Sequence, residues 1–437
     1  MLPETHGPAV QHYEKGSELA AQVQAWLISA GARAGSLLTM TAFRRLLVNS
    51  ISTAIIRDRL GGWMDFRTAR TALVHHWLLG MTGAERVVEA ICDALGSPDM
   101  YCVVANPERL SPSLRSRPIH VSFIQRFPGV LKHHPVYAGL FPLAIELFDL
   151  HEYDLIISSD ASTAKGVITR PEACHICYCH SPMRYVWNLF HQDLNRCGLI
   201  LRPFVALWAH YVRLWDYSAS ARVDYFIANS RAVRARIMKY YRREAQVIHP
   251  PCDVGRFRVS ESQDDYYLCV GRLVGYKRFD LAVEAFNTNG KRLVIAGAGP
   301  EYRRLKKQAR GRIDFLLWVP DHELVELYTR CKALILPGEE DFGIVPVEAQ
   351  ASGRPVIAYG RGGVLDTVVP GKTGLFFQQQ SPEHINAAIQ RFENDSKSFD
   401  PYLIREHASK FSKEIFTQQF LGHVEQCLTE HRNRFNQ

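Results

Sequence analysis

Ala333-Leu334-Ile335-Leu336-Pro337-Gly338-Glu339-Glu340-Asp341-Phe342-Gly343-Ile344-Val345-Pro346-Val347-Glu348-Ala349-Gln350-Ala351-Ser352-Gly353 is the segment on which the reading of this chain turns. Residues 333–336 form an apolar run that reads as a buried strand, and residues 345–351 read as a helix opened by the intervening loop. Gly343 lets backbone approach a ligand closely, and the amides after it point outward at the positive end of the helix dipole, a ready site for an anion. Glu340 stands just before the helix and Glu348 in its second turn. Carboxylates so placed suit two polyols, a sugar and a ribose. A bland alternative is that glutamates near a helix start simply complement the dipole.

The same alternation extends both ways. Toward the C-terminus, strands are expected at 266–270, 293–296, 313–316, 333–336 and 355–358. Helices fill the gaps at 281–286, 301–309, 323–330 and 345–351. Upstream, strands are expected at 72–77, 101–104, 153–158, 175–178 and 225–228, with a helix at 83–95 and further helix through the Trp-, Tyr- and Arg-rich stretch between Cys179 and Val223. Strands separated by helices imply parallel pairing through right-handed crossovers, hence an α/β chain with two doubly wound Rossmann-like domains. His249-Pro250-Pro251 and the polar stretch 260–265 separate them. The expected division is a helical N-terminal extension at 1–67, a first Rossmann-like domain at 68–258 and a second at 259–400. C-terminal helices at 401–437 are expected to pack back across the interdomain region. In sheets of this kind ligands bind beyond the carboxyl ends of the strands, so the site is expected in the cleft between the domains.

The chain has 437 residues, 47% hydrophobic and 22% charged, which excludes general disorder and fibrous architectures. No apolar run approaches the roughly 18–20 residues that span a bilayer. A formal charge of +8 is mild for this length and suits an anionic small molecule or a membrane surface; no nucleic-acid motif is present. The ten cysteines are scattered, and without an export signal they read as reduced thiols in a cytoplasmic protein. The run Cys174-His175-Ile176-Cys177-Tyr178-Cys179-His180 has no second Cys-x-x-Cys to complete a zinc site, so no metal is expected. Residues 1–63 read as two helices, 17–32 and 39–60. The second is apolar on one face and rich in arginine, which fits either a packed extension or a membrane-surface helix; Met64 is an alternative start.

A second cluster, Gly271-Arg272-Leu273-Val274-Gly275-Tyr276-Lys277-Arg278, leaves the first strand of the second domain. Arg272 and Lys277 flank a turn there, and two cations at a strand's carboxyl end suit a diphosphate whose charge grows as it departs. Together with the acidic segment, the cluster resembles glycosyltransferase family 4, retaining enzymes of GT-B fold. The likeness runs from about residue 71 to the C-terminus. Glu340 and Glu348 match that family's Glu-x7-Glu signature, and Arg272 and Lys277 its diphosphate-binding pair. The resemblance implies that Glu340 contacts the donor sugar, Glu348 the ribose, and the Gly343, Ile344 and Val345 backbone the sugar and phosphates.

Gly80-Met81-Thr82-Gly83 looks like the family's first glycine-rich loop, with Thr82 where a second glycine usually adjoins Gly83. His180 falls where the family keeps a cleft histidine; the alternative is a satisfied structural residue. The wording His180-Ser181-Pro182-Met183-Arg184-Tyr185 is similar to a bacterial polysaccharide mannosyltransferase subgroup, which adds Arg184 as a cleft residue. Leu317 replaces the glycine usual before the nucleobase-contacting backbone at Val319. By contrast, Gly297-Ala298-Gly299-Pro300-Glu301 is no dinucleotide fingerprint, because Tyr302 stands where its last glycine belongs.

The likeness implies a metal-independent enzyme without cofactor. It would move a hexose, mannose favoured, from a nucleotide sugar (GDP-mannose, with a UDP-sugar as alternative) to a lipid-linked glycan in polysaccharide or lipopolysaccharide biosynthesis. Peripheral contact with the inner face of the plasma membrane is the accompanying expectation. Competing readings are a GT-B sugar-nucleotide epimerase, a phosphorylase requiring a pyridoxal-phosphate lysine, and a non-catalytic nucleotide-sugar-binding subunit.

Overall fold

A computed structural model describes residues 69–435, all within one compact unit. The helices read into 17–32 and 39–60 and the alternative start at Met64 lie outside the described residues. Strands β1 (Thr71–Leu78), β2 (Asp99–Ala105), β3 (Ile119–Val121), β4 (Leu155–Asp160), β5 (Cys174–Cys179), β6 (Tyr225–Ala228) and β7 (Ala245–Val247) make a parallel sheet in the order β3-β2-β1-β4-β5-β6-β7. A second parallel sheet holds β8 (Tyr267–Val270), β9 (Leu293–Ala296), β10 (Ile313–Leu316), β11 (Leu334–Leu336), β12 (Val356–Tyr359) and β13 (Gly374–Phe377) in the order β10-β9-β8-β11-β12-β13.

Each order reverses once, between β1 and β4 in the first sheet and between β8 and β11 in the second. At such a switch the neighbouring loops diverge to opposite faces and leave a crevice above the strand ends. The loops at these points are 79–82 after β1, 271–278 after β8 and 337–343 after β11. They carry Arg272, Lys277, Glu340 and Gly343, while Gly83, Ile344, Val345 and Glu348 stand on the helices that the first and last of these loops open.

The helices of eight residues or more are α1 (Gly83–Leu95), α2 (Arg202–Ala221), α3 (Arg231–Tyr241), α4 (Phe279–Asn289), α5 (Asp321–Arg330), α6 (Ile344–Ala351), α7 (Pro382–Asn394), α8 (Pro401–Ala408) and α9 (Lys413–Phe435). α8 packs on α6 in the second lobe. α9 returns to the first lobe, where Phe416, Phe420, Val424, Cys427 and Leu428 join Leu73, Ile91, Ile157 and Ile176 in one buried core. Among the described residues no helix is long and apolar enough to cross a membrane.

One sequence expectation needs correction. The stretch after Cys179 is not helical throughout: residues 180–189 are loop and turn, and helix resumes at Phe190–Arg196 and in α2. The reason lies underneath. Lys165 and Asp216 are wholly buried beside Asp160 at the end of β4. Lys165 Nζ donates to Asp160 Oδ2 (3.1 Å), to the Ser162 carbonyl (3.2 Å) and to Asp216 Oδ1. Asp216 Oδ2 accepts from Trp187 Nε1 at 2.7 Å and from the Tyr241 hydroxyl at 2.8 Å. The segment bends to bring Trp187 onto this network. Burial alone would lower the Lys165 pKa, but Asp160 and Asp216 outweigh it and keep the ammonium charged.

Candidate active site

The turn after β8 and the loop after β11 meet because glycines allow it. Gly271 has φ +142°, and a Cβ there would stand 2.9 Å from Lys277 Nζ. A Cβ on Gly338 would lie 2.6 Å from Lys277 Cα and 2.7 Å from its carbonyl oxygen. The two backbones are therefore in direct contact, and Lys277 Nζ reaches Glu340 Oε1 at 2.9 Å. Burial alone would lower the Lys277 pKa; the Glu340 carboxylate more than reverses this, so the ammonium persists.

Gly343, at φ +84°, turns the chain into α6. Ile344 and Val345 open that helix, half-buried, and the first amides of a helix have no acceptor within it. Arg272 takes a different place from its expected companion. It is exposed, forms no ion pair among the described residues, and faces the first lobe closely enough to reinforce burial in lowering the His134 pKa.

Sequence reading missed what fixes the Glu340 loop. Gly363 N–H donates to the Glu340 carbonyl at 2.8 Å, and Cβ atoms on Gly362 and Gly363 would fall 2.4 and 2.3 Å from the Glu340 and Asp341 carbonyl oxygens. From the first lobe, Arg236 on α3 donates to Glu339 Oε1 at 2.8 Å and to Asp341 Oδ1. Arg184 approaches Asp341 at 3.3 Å and lies over the Tyr276 ring, 4.7 Å from its centroid. The acidic triplet 339–341 was visible in the sequence, and Arg184 was expected in the cleft, but Arg236 lies more than a hundred residues upstream and carried no local signal.

Glu348 is buried on α6 and accepts from the Tyr328 hydroxyl at 2.8 Å, with Arg256 3.7 Å away. Burial pushes its pKa up, opposed by the Tyr328 hydrogen bond and by Arg86 and Arg256. It borders a cavity of about 300 Å³ walled by Met81, Arg86 and Ser111 from the first lobe and by Arg256 and Ile344 from the second. Val319 is half-buried against the same core as Ile344 and Val345. Leu317 and Trp318, past the end of β10, are exposed, so the leucine that replaces the family's glycine does not fill the interior.

In the first lobe, an added Cβ would meet nothing within 4 Å at either Gly80 or Gly83. The protein's own packing therefore does not demand glycine there, and the space before α1 is open. Thr82 N–H and Oγ1 both go to Glu85 Oε2. That amide is thus committed to capping α1, which sets this loop apart from one with adjoining glycines.

His180 follows β5. Its Nε2 is 2.8 Å from Ser159 Oγ, its N–H donates to the Asp160 carbonyl at 2.7 Å, and its ring stands edge-on to His75. Burial, reinforced by His75, takes its pKa down to about 3, and burial takes His175 equally low. Both imidazoles are neutral in the folded chain.

These shifts predict acid sensitivity. A histidine whose folded pKa is depressed binds its proton more readily when unfolded, so its contribution is complete above the ordinary value near 6.5 and is lost as pH falls from there toward 3. At pH 5.5 each such histidine costs about 1.4 kcal/mol. Glu348, with its raised pKa, offsets part of this. The expected result is a Tm that falls between pH 7 and 5, and that falls less in His175→Gln, measured by calorimetry.

A cleft between doubly wound sheets, with a cation–carboxylate pair at the mouth of a helix, fits a GT-B enzyme, and the comparisons make it a glycosyltransferase. Residues 81–256 match the family model described as Glycosyltransferase Family 4, and residues 256–414 match Glycosyl transferases group 1. The chain belongs to glycosyltransferase family 4.

Over 395 residues the chain is 25% identical to the alpha-1,3/1,6-mannosyltransferase ALG2 of Dictyostelium discoideum, spanning 74% of this chain and 89% of that one. Its human counterpart is 27% identical over 320 residues, 63% and 74% of the two chains. Among solved structures, Anabaena Alr3699/HepE in complex with UDP and glucose superposes with a TM-score of 0.62 at 17% identity, covering 82% of this chain and 100% of that one.

Proposed function

We propose that this glycosyltransferase moves a hexosyl group, mannose in the first instance, from a nucleoside diphosphate sugar to a hydroxyl of a lipid-linked glycan, retaining the anomeric configuration. The observation that carries the reading is the Lys277–Glu340 pair set before the N-terminus of α6, with Glu348 buried further along the same helix. The bond from the anomeric carbon to the diphosphate oxygen breaks, and a bond to the acceptor oxygen forms on the same face. The hydroxyl proton passes to the departing phosphate oxygen.

Lys277 and the Ile344 and Val345 amides, positioned beforehand, receive the charge that grows on the diphosphate, and exposed Arg272 turns in to join them. In this reading Glu340 holds sugar hydroxyls, Glu348 the ribose, the Val319 backbone the base, and Gly83 leaves room for the phosphates. His180, a neutral imidazole, and Arg184 border the sugar. No cofactor or metal ion takes part in the transfer.

The mannosyltransferase names of the relatives favour mannose as the sugar, the likeness of residues 180–185 to polysaccharide mannosyltransferases favours GDP as its carrier, and the neighbour solved with UDP and glucose keeps a UDP-sugar in the test. A thermal-shift panel of GDP-mannose, UDP-glucose and ADP-glucose decides. A donor at about a hundred times its Kd adds about 2.7 kcal/mol, and the largest rise is expected with GDP-mannose. A rise with UDP-glucose alone would overturn the mannose assignment, and no rise with any donor would overturn the donor site.

The lipid-linked acceptor places the work at the inner face of the plasma membrane. Phe204, Leu207, Tyr211 and Leu214 recur at helical spacing along α2 and are each more than half exposed, preceded by Ile200 at 84%. A helix with such an apolar face is suited to lie in a membrane interface. The protein is expected to sediment with phosphatidylglycerol-containing vesicles and the Phe204→Asp/Leu207→Asp variant to remain in the supernatant.

A further inference from the structure

At the end of the first sheet opposite the cleft, three side chains converge that the transfer reaction does not use. Cys174 opens β5, Asp224 immediately precedes β6, and His431 stands near the end of α9, which packs against β5. One ligand atom from each lies within 4.8 Å of the others. His431 is 3% exposed, and neither of its ring nitrogens has a hydrogen-bond partner. Its Nδ1 is 3.9 Å from Asp224 Oδ1, beyond hydrogen-bond reach. Asp224 Oδ2 already accepts from the His175 N–H at 2.8 Å, so Oδ1 is the oxygen turned to the cluster.

A buried imidazole carries a proton to donate and a lone pair to place, and leaving both unmatched is rare in folded proteins. Cys427 stands one helical turn before His431, at i and i+4 on one face of α9. It is buried, and its thiol rests against His423 Nε2 at 3.4 Å, outside the group that the other three ligand atoms form.

We propose that Cys174, Asp224 and His431, joined by Cys427 once its thiol turns away from His423, form a structural site for a divalent d-block cation, zinc before others. Thiolate, imidazole and carboxylate are the donors zinc takes in tetrahedral sites, whereas calcium and magnesium select oxygen alone. Zinc–ligand bonds of about 2.0–2.3 Å put tetrahedral ligands about 3.3–3.8 Å apart, close to the 3.9 Å between Asp224 and His431. Two thiolates and a carboxylate around a doubly charged ion leave one net negative charge. Arg434, over the Tyr225 ring, and Arg243, which donates to the Asp224 carbonyl at 2.8 Å, border the site with positive charge.

Binding releases the two thiol protons and ties α9 to the starts of β5 and β6. Six residues of extended chain, about 20 Å, separate Cys174 from His180, so the ion lies outside the transfer chemistry.

The test uses untagged, full-length protein. Elemental analysis is expected to find about one zinc per chain. Cobalt added to the metal-free protein is expected to give a thiolate-to-cobalt charge-transfer band and tetrahedral d–d absorption. Changes one shell out already cost about 10–100-fold in metal affinity, so Cys174→Ser and His431→Gln are each expected to weaken zinc binding at least about tenfold, with folding checked by circular dichroism. The cobalt spectrum of the unaltered chain keeps the test valid should a variant unfold. Zinc far below one per chain together with a cobalt spectrum lacking the charge-transfer band would overturn the proposal. So would zinc retained in folded His431→Gln, or a Cys174–Cys427 disulfide in the native protein.

Discussion

Replacing Lys277 by alanine is expected to lower turnover at least ~100-fold, and Glu340→Ala to do the same, as losing one preorganised charge contact can. The two groups hold each other at 2.9 Å, and each side chain is about 85% buried. Little water is therefore available to replace the lost ammonium. With Lys277 gone, the departing diphosphate keeps only exposed Arg272 and the helix amides, and the Glu340 carboxylate is left uncompensated beside it. Lys277→Ala should act chiefly on kcat, because the charge it meets develops during bond breaking. Steady-state kinetics with the donor identified by thermal shift will measure both variants, and near-normal rates in both would sink the site assignment.

Lys165→Met is expected to produce the largest loss of stability, about 3–5 kcal/mol, the usual consequence of removing one member of a buried ion cluster. Asp160 and Asp216 would remain wholly buried without their cation. Asp216→Asn, which keeps acceptors for Trp187 and Tyr241, should cost less. Equilibrium denaturation followed by tryptophan fluorescence will report both. The effect should extend to the cleft, since the Asp160 carbonyl accepts the His180 N–H. A midpoint within error of the parent for Lys165→Met would show that the charges are not needed as a set.

How much of this was legible in the sequence depended on range. The strand–loop–helix 333–353 was readable because each part declares itself within a few residues, and the observed β11 and α6 fall within a residue of expectation. β3, β7 and β13 escaped notice; all three lie at sheet edges, and His120, Gln246 and Gly374 break the apolar runs by which the equally short inner strands were read. In the candidate site, Arg272, Lys277, Glu340 and Glu348 were visible as a pattern. Those that hold them were not: Arg236 reaches Asp341 across 105 residues, and Lys165 reaches Asp216 across 51. Gly362 and Gly363 were readable only once the Glu340 loop was seen lying against them.

The return of α9 to the first lobe has a consequence for biosynthesis. The core that contains Leu73 and Ile157 has its other members in place by Ile248 and then lacks Phe416, Phe420, Val424, Cys427 and Leu428. At about 5–20 residues per second, a ribosome needs roughly 10–40 s to deliver them. Throughout that interval the nascent first half presents an open apolar groove to chaperones. A premature stop between Ile248 and Phe416 would leave the same groove permanently bare, so truncated products should be recognised and degraded even when every strand of the first sheet has been made.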